Sequence, residues 1–244
     1  MNNCESIRSA LGEKLLNREF VTDKSGVKCI EIINASFIAD EPTIFGSLTE
    51  YADRELAWYK SCSLNVNDIP PPVPQIWQAV ASKDGLINSN YGWCIWSEEN
   101  GYQYTHCLNE LLSNKDSRRA CMIYIRPNMQ VEYKKDGMSD FMCTYSTQVF
   151  IRDNKLHYIV FMRSNDSWAG YKNDKYWHDH VHKILLNDLK DAYPNLELGT
   201  MYWNAGSLHV YKRQFYLVDH YLRTAQTSIS KDEYGMLYPD SQYK

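Results

Sequence analysis

Two residues have the clearest chemical potential: Cys143, in the stretch DFMCTYSTQVF, and Arg163, in MRSND. A free thiol ionises near pH 8.5, and a guanidinium beside it lowers that value and makes the sulfur a nucleophile at neutral pH. The plainer alternative is that a strand cysteine is a small core hydrophobe. Glu55, in RELAWYK, is a carboxylate on an otherwise apolar helical stripe. Burial there raises its pKa toward working pH, as general acid–base chemistry requires, whereas a slight turn of the helix would give it to solvent. Arg118-Arg119 after NKDS, Arg163-Ser164, and Lys24 in DKSG are compact basic sites. Each could clamp a phosphate through charge-assisted hydrogen bonds, or be an ordinary solvated charge. Neither GxxxxGK[ST] nor GxGxxG occurs, so a phosphate would be held by side chains and not by a glycine cradle. His178 and His182, in HDHVH, stand at metal-ligand spacing. With no HExxH glutamate or third ligand, no metal is expected and the pair reads as an exposed helical face.

The elements that must position these groups follow from periodicity. Cys143 falls in a strand read over 140–152, hairpinned through Asp153-Asn154-Lys155 to a second strand over 155–164 that ends at Arg163-Ser164. Glu55 falls on a helix read over 46–60, whose stripe is Leu48, Tyr51 and Ala52. Further helices are expected over 5–16, around Tyr104 to Leu112, around Trp177 to Leu185, and over 213–223. Further strands are expected over 28–39, over 121–127 and near Met201. Hairpin-linked strands mixed with long helices predict α+β packing around a large sheet, not a doubly wound parallel one. The only Pro-rich stretch, DIPPPVP, is too short for an interdomain spacer, so a single domain over 1–244 is expected.

A net charge of -4 offers no general attraction to a nucleic-acid backbone. The polar N-terminus and the lack of a long apolar run predict a cytoplasmic protein without membrane attachment. Seven cysteines without CxxC spacing predict free thiols, with neither a disulfide framework nor a zinc site.

Taken together, the segments VTDKSGVKCIEIINASFIADEPTIFG, RELAWYKS, INSNYGW, DSRRACMIY, DGMSDFMCT, MRSND, GSLHVY and FYLVDH resemble the thymidylate synthase family over nearly the whole chain. The likeness is to its branch that hydroxymethylates deoxycytidylate. The resemblance implies that family's fold, a large mixed sheet flanked by helices, and 5,10-methylenetetrahydrofolate as co-substrate. It also implies a homodimer, with phage DNA base modification as the setting. Cys143 matches the nucleophile that adds to carbon 6 of the pyrimidine, and Glu55 matches the glutamate that organises water and proton transfer. Arg163 and Ser164 match phosphate ligands, Lys24 stands where synthases use Arg, and Arg118 and Arg119 match the pair that reaches into the partner's site. His209 and Tyr211 match ligands of the deoxyribose hydroxyl. Tyr91 and Trp77 match pocket aromatics, Trp77 on the folate side, and Asp166 matches the carboxylate facing the pterin.

Asp174 stands where uridylate-using synthases hold Asn. An aspartate can accept from cytosine's exocyclic amine and, by sharing a proton with the ring nitrogen, withdraw electrons and ease thiolate addition. Other departures are Met142-Cys143-Thr144 in place of Pro-Cys-His, and the ending MLYPDSQYK in place of a short apolar tail. A looser closure of that kind would let water attack before hydride does. Two alternatives remain: a pyrimidine nucleotide methylase of the synthase type, and a non-catalytic nucleotide- or RNA-binding regulator on the same fold.

Overall fold

The computed structural model describes residues 1–244. In chain order its elements are α1 (Cys4–Leu16), β1 (Val21–Thr22), β2 (Lys28–Ile38), α2 (Tyr51–Ser61), α3 (Gln75–Val80), α4 (Tyr91–Trp96), α5 (Gln103–Ser113), β3 (Cys121–Ile123), α6 (Met129–Glu132), β4 (Thr144–Arg152), β5 (Lys155–Asp166), α7 (Gly170–Leu189), β6 (Glu197–Tyr211), α8 (Phe215–Thr224) and α9 (Lys231–Leu237). The strands form one six-stranded sheet in the order β1-β2-β6-β5-β4-β3. Two compact units are distinguished, one of Met1–Leu48, Ser164–Lys175 and Tyr202–Lys244, the other of Thr49–Arg163 and Tyr176–Met201.

In the first unit, β2 runs antiparallel to β6 from Cys29↔Tyr211 to Ile38↔Tyr202. Alternation buries Ala35 and Phe37 of β2 with Trp203 and Ala205 of β6, and beyond Asn34 (φ 55°), where the ladder is interrupted, the parity changes and Ile30, Leu208 and Val210 are buried instead. Helix α1 starts at Asn3, whose side chain accepts from Ser6 N at 3.0 Å, and it buries Cys4, Ile7, Leu11 and Leu15 at helical spacing. That stripe packs against β2 and α8.

In the second unit, β4 and β5 form a hairpin closed at Arg152↔Lys155. Its two turn residues, Asp153 and Asn154, both have positive φ (51° and 56°), the conformation a tight two-residue turn needs and that Asp and Asn tolerate. Helix α4 packs on α2 so closely that a Cβ on Gly92 would lie 1.8 Å from Tyr59 O, which only glycine permits. Trp58, Tyr91, Tyr124, Tyr158 and Trp177 fill the core beneath.

Several expectations need correction. The helix that carries Glu55 begins at Tyr51, not Gly46: Gly46 has φ 75°, outside helical geometry, and Leu48 is exposed. The strand read over 140–152 begins at Thr144, which leaves Cys143 in the bend before it. The strand read over 121–127 stops at Ile123, after which Tyr124 N and Ile125 N share one acceptor, Tyr145 O. Helices α3, α4 and α9 are not among the expected elements, and β6 is far longer than the expected strand near Met201. His178 and His182 are buried, not exposed. His182 Nε2 lies 2.6 Å from Leu156 O and His178 Nδ1 lies 3.3 Å from Tyr158 OH, so both imidazoles belong to the core. No group of three or more His, Cys, Asp or Glu is placed to hold a metal ion. No helix is long and apolar enough to cross a membrane.

Candidate active site

The bend at Cys143 is held from the neighbouring strand. The β4/β5 register slips between Thr144 and Ser146, and the partner strand ties the bend down through Arg163 N, which donates to Cys143 O at 2.7 Å. From there the Arg163 side chain folds back along the segment that precedes β4. Its Nε donates to Met142 O and its Nη2 to Phe141 O, both at 3.3 Å, and its guanidinium covers the Phe141 ring at 5.3 Å. The same Nη2 is 3.6 Å from Cys143 Sγ. Two carbonyls therefore aim a permanent positive charge at the sulfur, where it stabilises negative charge.

The approach to that bend is anchored by Asp140. Its buried carboxylate accepts from Asn88 N (2.7 Å), Ser89 N (2.8 Å) and Ser89 Oγ (2.7 Å). Burial raises its pKa even against those three donors. Asn90 then caps α4 by accepting from Trp93 N at 2.9 Å, and the next residue, Tyr91, is buried with its ring stacked on Tyr59 at 5.1 Å.

Glu55 is 6% exposed. One turn earlier on α2, Tyr51 OH donates to its Oε1 at 2.5 Å. From α3, Trp77 Nε1 reaches Tyr51 OH at 2.6 Å and Glu55 Oε1 at 3.3 Å, with its ring edge against Trp58. Burial pushes the Glu55 carboxyl up from 4.5 to about 7, and the hydrogen bonds from Tyr51 and Trp77 oppose the rise. A carboxyl that titrates near neutrality can both take and return a proton at working pH.

The first unit places a second set of groups around the end of β5 and the start of α7. Asp166 Oδ1 accepts from Trp168 N (2.7 Å) and Ala169 N (3.2 Å), which turns the chain into the helix. Asp174, one turn into α7, receives Asn165 Nδ2 on its Oδ2 at 2.7 Å. Ser167 N donates to His209 O at 2.8 Å, tying this loop to β6. His209 is buried, with Nδ1 3.2 Å from Ser207 Oγ, which in turn hydrogen-bonds Glu31 on β2. Burial lowers the His209 pKa, and the charges of Asp166 and Glu31 oppose that shift; its ring lies edge-on to Tyr211 at 4.9 Å. Lys24 is exposed in a turn organised by Asp23 Oδ1, which accepts from Ser25 N, Ser25 Oγ and Val27 N.

Arg118 and Arg119 are exposed in the turn before β3. Gln148 Nε2 donates to Arg118 O at 2.8 Å, and Arg119 pairs with Glu110 at 3.2 Å while remaining 81% exposed. An exposed ion pair of this kind contributes little to stability, which leaves the guanidinium available to another partner.

The structure thus brings Cys143 to Arg163 and Glu55 to Trp77 in one unit, and His209 to Tyr211 in the other. Sequence reasoning missed Tyr51, Asn165 and Asp140. Tyr51 reads there only as an apolar residue of the stripe, although its spacing of i, i+4 to Glu55 is enough to pair them. Asn165 lies inside the quoted MRSND without a role. Asp140 carries no sequence signal, because its donors lie some fifty residues away.

The thymidylate synthase family model matches residues 43–233. The chain is 58% identical over 233 residues to the deoxycytidylate 5-hydroxymethyltransferase of Enterobacteria phage T4, spanning 94% of this chain and 95% of that protein. It is 57% identical to its namesake from Enterobacteria phage T2, spanning 95% of each. Among solved structures, the thermostable thymidylate synthase A of Bacillus subtilis superposes with a TM-score of 0.66 over 91% of this chain and 84% of that one, at 22% identity. That likeness establishes the expected fold, a mixed sheet flanked by helices.

Proposed function

Because the chain belongs to the thymidylate synthase family, we propose that it is a deoxycytidylate 5-hydroxymethyltransferase. It converts deoxycytidylate, 5,10-methylenetetrahydrofolate and water to 5-hydroxymethyldeoxycytidylate and tetrahydrofolate, supplying a modified base for phage DNA in the host-cell cytoplasm. The observation that carries the chemistry is the Arg163 guanidinium held 3.6 Å from Cys143 Sγ. The Cys143 thiolate adds to carbon 6 of the pyrimidine, which makes carbon 5 nucleophilic toward the one-carbon unit of the folate. Carbon 5 bonds to that carbon and then loses its proton as the carbon's bond to the folate nitrogen breaks and tetrahydrofolate departs; water adds to the resulting exocyclic methylene, and the thiolate leaves. No hydride moves, so the folate ends as the tetrahydro form. Glu55, titrating near 7, orders water and passes protons.

The remaining residues bind. Arg163, Ser164 and Lys24 hold the phosphate together with Arg118 and Arg119, which a homodimer would supply from the partner subunit. The exposure of both arginines supports that reading. His209 and Tyr211 take the deoxyribose hydroxyl, and Asp174 reads the base. Trp77, half-exposed with its ring beside Trp58, offers a flat face to the folate, and Asp166 offers an acceptor to its pterin. Tyr91 backs the pocket wall from within its stack on Tyr59. We propose that residues 1–244 act as one catalytic domain.

Product analysis tests this reading: 5-hydroxymethyldeoxycytidylate should accumulate without the absorbance change of dihydrofolate formation. A methylated product with dihydrofolate would make the protein a methylase, and nucleotide binding without turnover would make it a regulator. In the same assay, mixing inactive Cys143→Ala subunits with inactive Arg119→Glu subunits should restore some turnover, since one site per heterodimer carries both intact parts. No recovery from confirmed heterodimers would remove Arg119 from the partner's site.

A further inference from the structure

Glu55 receives both of its hydrogen bonds on one oxygen. Tyr51 OH donates to Oε1 at 2.5 Å, and Trp77 Nε1 approaches the same atom at 3.3 Å. Oε2 takes no hydrogen bond from the protein, yet it is not sealed from solvent. The two oxygens of one carboxyl thus stand in different surroundings, and Tyr51 makes the difference.

The direction of these bonds is fixed by the groups themselves. An indole N–H can only donate, so the Tyr51 oxygen accepts from Trp77 Nε1, 2.6 Å away. The one hydrogen of the hydroxyl is then committed to Glu55, and the chain runs from Trp77 N–H through Tyr51 O–H to Glu55 Oε1. Tyr51 keeps that hydrogen at working pH, because burial and the Glu55 charge push its hydroxyl well above the ordinary value of 10. A proton on Oε1 would reverse the last bond and leave the Tyr51 hydrogen without an acceptor, so the neutral carboxyl carries its proton on Oε2. Once that proton leaves, the bond from Tyr51 becomes charge-assisted, and the phenolic oxygen becomes a better acceptor for Trp77.

No charged side chain acts directly on this carboxyl. Arg54, its neighbour on α2, lies over the Tyr51 ring at 5.6 Å and donates to Pro72 O. From α4, Tyr91 is stacked on Tyr59 and Cys94 Sγ is directed at Asn88 O. From α7, Tyr176 donates to Asp53, and His180 feels the charge of Lys60.

We propose that Tyr51 is a positioning residue for the reaction: its hydroxyl occupies Oε1 of Glu55, so that protons enter and leave through Oε2, and it couples that exchange to the ring of Trp77. This inference rests on Glu55 passing protons in the proposed function.

The test begins with the protein free of ligands. Glutamate is labelled with carbon-13 at its carboxyl carbon, the Glu55 signal being the one absent from Glu55→Gln. Its shift is followed across neutral pH together with the indole N–H signal of Trp77. In wild type both should move with one midpoint, at about 7. Tyr51→Phe keeps the ring and removes the hydroxyl. The Glu55 midpoint should then rise by about one pH unit, about tenfold in its ionisation constant, with Trp77 replacing part of the lost bond. Turnover of deoxycytidylate measured against pH should shift by the same amount, while KM for deoxycytidylate stays near that of wild type. A Glu55 midpoint unchanged in Tyr51→Phe, with only the melting temperature lowered, makes Tyr51 merely structural and overturns the proposal. So does a Trp77 signal that ignores the Glu55 midpoint in wild type. Should Tyr51→Phe not fold, wild type labelled at tyrosine Cζ decides. The Tyr51 carbon, identified by its contact with the Trp77 indole hydrogen, must follow the Glu55 midpoint, and a carbon that does not overturns the proposal. Turnover with a pH profile that Tyr51→Phe leaves unmoved defeats this inference alone. Wild type without turnover of deoxycytidylate defeats the proposed function on which it rests.

Discussion

Cys143→Ala should fold, bind deoxycytidylate with near-normal affinity and lose turnover by a factor on the order of 10⁴ or more, because only water remains to attack carbon 6. The check is release of tritium from carbon 5 of labelled deoxycytidylate, which requires addition at carbon 6 and which simple binding cannot produce. Five of the other six thiols are poor substitutes on physical grounds. Burial pushes the Cys107 thiol up to about 12 and raises those of Cys4, Cys29, Cys62 and Cys94. Cys143 is instead half-buried, with a guanidinium 3.6 Å from its sulfur. Cys107→Ala should accordingly keep turnover per folded molecule. Tritium release persisting in Cys143→Ala would remove the covalent mechanism.

The second large effect concerns base choice. Asp174→Asn should lower the specificity constant for deoxycytidylate by several orders of magnitude and raise that for deoxyuridylate. Sharing a proton with the ring nitrogen, the Asp174 carboxyl meets cytosine's edge with an acceptor for the amine and a donor for the nitrogen, whereas an amide turned the other way, donor to carbonyl and acceptor to N–H, is the complement of uracil's edge. Discrimination by such buried pairings reaches roughly 10⁴, since the wrong base leaves polar atoms unpaired. Asn165 modulates the outcome: with an amide in place of the Asp174 carboxylate, either atom of the new group could pair with it. The measurement is the ratio of the two specificity constants before and after substitution. An unmoved ratio, or a wild-type preference for deoxyuridylate, rejects Asp174 as the reader.

What was legible in the sequence depended on how local the cause was. Glu55 could be placed on a buried stripe because Tyr51, Ala52 and Glu55 keep helical spacing within a single element. The hairpin was legible because Asp153-Asn154 is a turn signal in its own right. The start of β4 was not legible: Phe141 and Met142 continue an apolar run, although the ladder with β5 begins only at Thr144↔Met162. Helices α3 and α4, at six residues each, are too short for a period of 3.6 to show. The Asn165–Asp174 pair crosses from a strand end to a helix, and no periodicity reports a contact of that kind. Most of the site assignment came from resemblance over the whole chain, which gathers groups that no single stretch could.

The buried Glu55 also ties the act of folding to the proton concentration. Below pH 4.5 the carboxyl is protonated in both the folded and the unfolded chain, and folding moves no proton. Between 4.5 and about 7 the unfolded chain has ionised while the folded one has not, so folding must take up a proton and becomes less favourable as pH rises. The span corresponds to roughly 3 kcal/mol. This part of the stability is fully present in acid, is lost as pH rises through about 7, and stays constant above it. Melting temperatures of wild type and Glu55→Gln should therefore diverge from pH 5 to pH 8, with the glutamine variant the more stable at pH 8. A carboxyl held ready to exchange a proton near pH 7 thus makes the native state less stable at that same pH.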